Sequence, residues 1–217
     1  MSVLTAAGAP ELAFAVEEIT AVVDAAVPTL CFGLHLDAGG RDVRSVGLNV
    51  QLRIDATRRR YENGDEERLL ELFGGRERWG RTLRSILWAN ASLTVPRFVG
   101  AKRVALHVPA TYDFEVVAAK YLNALEVGDV PLELLFSGTL FYQADDARLQ
   151  AAPISWEREA RATLPVAVWR EAVDAAFPGS AWLRLDRESF DRLWAYRAAR
   201  ALPSWETTLA ELLEGKD

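Results

Sequence analysis

Apolar and polar residues alternate most cleanly where Val46, Leu48, Val50, Leu52 and Ile54 interleave with Ser45, Gly47, Asn49, Gln51 and Arg53. A period of two is that of a strand with one face in a core and the other in water. The same period appears at Leu12, Phe14 and Val16. It returns at Leu30, Phe32, Leu34 and Leu36, with Cys31, Gly33 and His35 on the opposite face. Pro28 opens that strand, and Gly39-Gly40 predicts a turn into the strand at 45–54. Strand character also runs over 86–95, stopping at Pro96, and over 102–108 and 148–156. The stretch 130–143 carries Leu132, Leu134, Phe136, Leu140 and Tyr142 on one side and Leu135 and Phe141 on the other. Apolar residues on both sides predict a central strand covered above and below. Pro131 suits its first residue, and Gly138 marks a bend or a close backbone approach.

Elsewhere the period is helical. Asp65 is placed to cap a helix over 66–73 that ends at Gly74, and 76–84 reads as an arginine-rich turn or helix anchored by Trp79 and Leu83. Phe114, Val117, Ala118, Tyr121, Leu122 and Leu125 form one apolar stripe, with Thr111 or Asp113 as its cap and Gly128 beyond its end. Asp145-Asp146 marks a turn. From Thr163 the pattern is all helical. Pro165 takes a first helical position, Val166, Trp169, Val173 and Phe177 make a stripe, and Trp182-Leu183 is a link. Asp186 caps a helix that buries Phe190, Leu193 and Trp194, and Ser204 begins a last one anchored by Trp205, Leu209, Leu212 and Leu213. Four of the seven tryptophans lie in this tail, so it is expected to dock on the sheet. The expected fold is α+β: an antiparallel β-sandwich of about seven strands, immunoglobulin-like in layout, with inserted helices. It spans residues 1–162, and a helical C-terminal segment, 163–217, packs on it as one structural unit.

At 217 residues the chain is long enough for one self-supporting domain. One cysteine, Cys31, excludes a disulfide framework and a multi-cysteine metal site. Neither a secretory leader nor an apolar run of membrane length is recognisable, so a cytoplasmic location is expected. The net charge of −6 is uneven. Residues 1–52 carry 2 basic and 6 acidic side chains, residues 53–103 carry 12 and 7, and residues 104–217 carry 11 and 18. A basic island therefore sits in an acidic protein, and it is made almost wholly of arginine.

That island is the leading candidate for function. Arg58, Arg59, Arg60, Arg76, Arg78, Arg81 and Arg84 suit an acidic protein surface, because guanidinium groups grip carboxylates in a bidentate way. A nucleic acid is not expected, since the acidic remainder would repel its phosphates. The bland alternative is internal pairing with Glu62, Asp65, Glu66, Glu67, Glu71 and Glu77. Cys31, His35 and His107 could serve as a three-ligand metal site, but strand spacing of this kind has little specificity, and neither a metal nor another cofactor is expected. Tyr112, Asp113 and Glu115 read better as a capping group than as an acid–base set. No nucleophile elbow, phosphate loop, dinucleotide fingerprint or metalloprotease motif is present, so the chain is not expected to be an enzyme. The competing class is an enzyme or small-ligand binder with a pocket between the sandwich and the C-terminal helices.

Several stretches together carry a family resemblance: Gln51-Leu-Arg-Ile-Asp, Glu67-Arg-Leu-Leu-Glu-Leu-Phe-Gly, Arg78-Trp-Gly-Arg-Thr-Leu, Thr111-Tyr-Asp-Phe, Leu135-Phe-Ser-Gly-Thr and Phe177-Pro-Gly-Ser-Ala-Trp-Leu-Arg-Leu. The chain resembles an actinobacterial domain-of-unknown-function family encoded beside high-affinity, oxygen-tolerant nickel-iron hydrogenases. The resemblance implies an accessory, assembly or maturation role, with a hydrogenase subunit or maturation factor as partner. It also implies a cysteine just before the Thr-Tyr-Asp run, where this chain has Ala110, which speaks against a thiol-based metal-delivery role.

Overall fold

The computed structural model describes residues 9–62, 64–110, 116–144, 148–180 and 184–214. The alternation at 45–54 belongs to a much longer strand. Thr29–Ile54 forms one strand of 26 residues, β2, and Ile86–Pro109 forms its antiparallel partner of 24, β3. Their register runs from Thr29 opposite Pro109 to Ile54 opposite Ile86. Gly39-Gly40 therefore does not turn the chain back on itself, as expected from the sequence. Residues 38–41 bulge opposite Gly100, between the pairs Asp37–Ala101 and Asp42–Val99. Gly39, Gly40 and Gly100 have φ of 59°, 82° and 71°, values that cost a glycine little. Bulges of this kind bend the strand and sharpen its twist locally.

β1 (Ala13–Ala21) pairs with the first half of β2, and β4 (Asp129–Gln143) with its second half. The far edge of β4 carries β5 (Leu149–Pro153) and β6 (Glu159–Pro165). All pairings are antiparallel, and hydrogen bonding joins the six strands among the described residues into one sheet. Six replaces about seven because two expected pairs of strands are fused in β2 and β3, whereas β6 stands where a helix was expected to begin. The inward residues of β6 are Ala160, Ala162 and Leu164, and alanine leaves only a faint apolar period.

β4 is central, as expected, with neighbours on both edges. Its burial is one-sided, however. Leu132, Leu134, Phe136, Leu140 and Tyr142 are buried, while Phe141 is 36% exposed. Phe141 and Leu135 lie on the outer face beside Ser45 and Gln51 of β2, so flanking side chains shelter them in place of a covering layer. Gly138 does mark a close approach: a Cβ there would lie 2.0 Å from the carbonyl oxygen of Gly47.

The buried faces of both halves of β2 join one core. Phe14 of β1 stacks on Phe136 of β4 with ring centroids 4.2 Å apart. The insertion between β2 and β3 contributes three short helices, α1 (Asp65–Arg68), α2 (Leu70–Phe73) and α3 (Trp79–Thr82). α4 (Val117–Ala124) and α5 (Val166–Ala176) add Tyr121, Leu122, Val166 and Trp169 to the core. Trp169 Nε1 donates to Asn123 Oδ1 (2.8 Å), which ties α5 to α4.

The chain divides into two compact units, residues 1–180 and 181–217. The second holds α6 (Arg187–Ala199) and α7 (Trp205–Glu214). Asp186 caps α6 by accepting the backbone N–H of Ser189 (2.8 Å), which holds its carboxyl below the usual range. Phe190, Trp194 and Trp205 cluster with centroids 5.7–6.1 Å apart. The expected burial of Phe190 and Trp194 does not hold: they are 37% and 55% exposed, because two short helices share only one face. The expected caps Thr111 and Asp113, Phe114, the turn at Asp145-Asp146 and the Trp182-Leu183 link lie outside the described residues.

Candidate functional site

The insertion between β2 and β3 holds the arginine island and has its own small anchor. Trp79 packs edge-on against Tyr61 (4.7 Å) and Phe73 (6.4 Å), and Phe73 against Tyr121 of α4 (6.1 Å). Trp79 Nε1 donates to the Gly74 carbonyl (2.9 Å), and Thr82 Oγ1 donates to that of Phe73 (2.6 Å). Tyr61 donates to the Ala56 carbonyl (2.7 Å), so the 2.9 Å contact between the two tyrosine hydroxyls is a donation from Tyr121. Burial pushes the Tyr61 hydroxyl up to about 12 and raises that of Tyr121 as well.

Arg58, Arg59 and Arg60 leave the sheet in a 3-10 turn followed by extended backbone. Successive side chains then point to opposite sides. Arg58 and Arg60 are exposed, and Arg59 is buried. Its Nη1 donates to the Asp129 carbonyl (2.6 Å) and its Nη2 to that of Val127 (2.8 Å), and Nη2 lies 3.5 Å from Asp65 Oδ2. Asp65, also buried, accepts Arg68 Nη2 (2.9 Å) and the backbone N–H of Glu62 (2.9 Å). Arg59 is thus a clamp between the insertion and the loop before β4, and the surface reading of this one arginine is corrected.

The other six island arginines, Arg58, Arg60, Arg76, Arg78, Arg81 and Arg84, are exposed. Burying Trp79 leaves its neighbours Arg78 and Arg81 on the solvent side of the turn. Arg76 lies over the Trp79 ring (6.0 Å), and Arg84 Nη1 donates to the Leu83 carbonyl (2.9 Å). None of the six forms an ion pair among the described residues, and three of the six nearby acids have other partners. Asp65 holds Arg59 and Arg68, Glu71 holds Lys120, and Glu66 Oε1 accepts the backbone N–H of Arg76 (3.2 Å).

Cys31 and His107 are directly opposed on β2 and β3, but His35 faces Arg103. Four residues at ~3.3 Å each set His35 about 13 Å along the strand from Cys31, so the three do not converge on one ion. Burial, with Glu18 nearby, raises the Cys31 thiol. Among the described residues no three His, Cys, Asp or Glu side chains gather to hold a metal. His35 belongs to a different group. The β1 register slips between Val16 and Glu18, which leaves Glu17 as an extra residue re-aimed by the bulge. Its carboxylate meets Arg103 Nε (2.7 Å) and lies 3.4 Å from His35 Nδ1. Only pairing across three strands brings this Glu17–His35–Arg103 set together, so its sequence signal was absent. Tyr112, Asp113 and Glu115 lie outside the described residues. An open cleft of about 310 Å³ sits at the end of β4 and β6, with Asp55, Arg58, Glu133 and Arg161 as its charged lining.

A family of unknown function, DUF6084, matches residues 9–217. The chain belongs to that family. No curated protein matches it. Among solved structures, a putative late embryogenesis abundant protein is 11% identical, with 75% of each chain covered and a TM-score of 0.33. A β-glucosidase from Kluyveromyces marxianus is 11% identical over 71% of this chain and 15% of its own, at a TM-score of 0.28. The CARDB domain of a Pyrococcus furiosus protein, in complex with di-metal ions, is 12% identical over 67% and 92%, at 0.24. At TM-scores below 0.5 such likenesses do not establish a shared fold. No helix among the described residues is long and apolar enough to cross a membrane.

Proposed function

We propose that this DUF6084 chain is a non-enzymatic accessory protein that binds an acidic surface of another protein through Arg58, Arg60, Arg76, Arg78, Arg81 and Arg84. The observation that supports the reading is that these six exposed guanidinium groups have no carboxylate partner among the described residues, in a chain of net charge −6. Unpaired cations on a firm scaffold speed encounter and set register with a complementary surface. The resemblance to proteins encoded beside actinobacterial nickel-iron hydrogenases points to a hydrogenase subunit or an assembly factor as the partner, and to work in the cytoplasm. As to layout, we take the β2–β3 pair, bent at its glycines, to fold the sheet over its buried face as an immunoglobulin-like sandwich, in keeping with the stacking of Phe14 on Phe136. The competing reading, a small-ligand binder or enzyme, has the cleft beside Arg58 and Arg161 in its favour.

The test is a deletion strain assayed for hydrogenase activity and complemented with the chain or with a variant carrying Arg76→Glu and Arg78→Glu. The chain should restore activity and recover its partner in a salt-sensitive manner, and the variant should do neither. Exposed substitutions of this kind should change stability by no more than about 0.5 kcal/mol each. Full complementation by the variant, with undiminished partner recovery, would end the reading.

A further inference from the structure

The arginine surface runs directly into an open sheet edge. Among the described residues β2 is the only strand paired with β3, so the other edge of β3 presents its backbone N–H and C=O groups unpaired. Sheet proteins normally blunt such an edge with charge, proline or irregularity. The second half of β3 has these devices in Pro96, Arg97, Gly100, Lys102 and Arg103. The first half, 86–95, has neither a charge nor a proline, only a bulge at Trp88 opposite the Leu52–Arg53 step. Its core-facing residues Ala89, Ala91 and Leu93 are only half-buried, whereas Leu52, Val50 and Leu48 opposite them on β2 are at most 1% exposed, and only Ile86 and Val95 at its two ends are buried. Asn90, Ser92 and Thr94 line the outer side, exposed, with Ser92 Oγ donating to Asn49 Oδ1 (2.8 Å) and Asn90 Oδ1 accepting from Gln51 Nε2 (3.3 Å) of β2. The edge half of β3 is thus finished on one side and unfinished on the other.

We propose that the partner docks as an extended segment that adds a strand antiparallel to residues 86–95, with acidic residues just C-terminal to the paired stretch. The proposal rests on the reading of the arginine surface given above and adds the form the partner takes. An antiparallel strand leaves the edge beside Ile86, and Arg84 lies two residues before Ile86, with Arg81 one helical turn further back. Carboxylates at that end meet the unpaired guanidinium groups, while main-chain bonds along the edge supply affinity independent of sequence. A second copy of this chain fits less well. Antiparallel self-pairing with Ile86 opposite Val95 sets Arg84 of each copy opposite Arg97 of the other, and like charges directly opposed are destabilising.

The test uses the full chain and a synthetic peptide of alternating threonine and valine that ends in three glutamates. Controls end in lysines, or carry N-methyl groups on the amides of one edge or of the other. Affinity is read by fluorescence anisotropy, and the site by amide hydrogen exchange. The glutamate peptide should bind about tenfold tighter than the lysine peptide and should slow exchange at alternate amides of residues 86–95. Arg81→Glu with Arg84→Glu should erase that preference, and N-methylation should abolish binding on one peptide edge only. A glutamate preference without protection of 86–95 would overturn strand addition while leaving the arginine surface standing. Protection without a glutamate preference would remove the arginine surface from the site and with it this proposal. Failure of the glutamate peptide to bind, or the same protection appearing with concentration in the absence of peptide, would overturn it, the latter in favour of a second copy.

Discussion

Arg58, Arg59 and Arg60 are adjacent and chemically identical, yet one is a structural clamp and two are surface cations. What separates them is backbone direction: an extended chain turns the middle side chain inward, where Asp65 and two carbonyl oxygens wait. Arg59→Met leaves Asp65 with Arg68 alone and strips the Val127 and Asp129 carbonyls of their donor, so it should cost about 1–3 kcal/mol. Arg78→Ala should stay within about 0.5 kcal/mol. Urea denaturation midpoints of the two variants check the contrast, and equal midpoints would mean that Arg59 is not a clamp. Nothing in the run of three arginines marks the middle one, because its two carbonyl partners lie 68 and 70 residues away and the nearby Asp65 is close in sequence to all three. Cys31, His35 and His107 show the converse. Their types fit a metal site, but the ladder register sets only two of them side by side.

At the scale of elements, the sequence pattern was most legible where a single face is buried by large side chains. The alternation in β2, the stripe of α5, the Asp186 cap and the Gly74 terminus all stand as read. Legibility failed where one signal has two physical meanings. A glycine pair serves a hairpin turn and a bulge equally well, since both need positive φ, and only the partner strand decides between them. β6 was missed because small inward residues mimic a loop. Gly138 is the opposite case, a glycine whose meaning was legible in a strand. With φ of 140° and no room between β4 and the Gly47 carbonyl, Gly138→Ala combines a strained backbone with a steric clash. The strain alone costs about 1–3 kcal/mol, and the clash adds to it by forcing β4 from β2. The variant should melt well below the parent in a calorimeter, whereas Gly80→Ala, which meets nothing within 4 Å, should stay close to it.

For the whole molecule, the question is where the chain can be cut. The sequence pattern from Thr163 onward is that of one helical segment, but its residues differ in how they are held. Trp169 and Ala172 of α5 are at most 1% exposed and belong to the continuous core that begins at Leu12. α6 and α7 belong to the second compact unit, and their one buried residue is Thr208. A chain ending at Thr163 loses α5, exposes the groups that packed on it and leaves Asn123 Oδ1 without its tryptophan donor. Loss of a fully buried tryptophan costs about 3–5 kcal/mol on its own, a large part of the stability of an average domain. That chain should aggregate or give a broad, non-cooperative transition. A chain ending at Ser180 keeps the core intact and should melt in a single cooperative step, read by circular dichroism. If the longer fragment fails as well, the core of the first unit is not sufficient, and the two units must be counted as one folding entity.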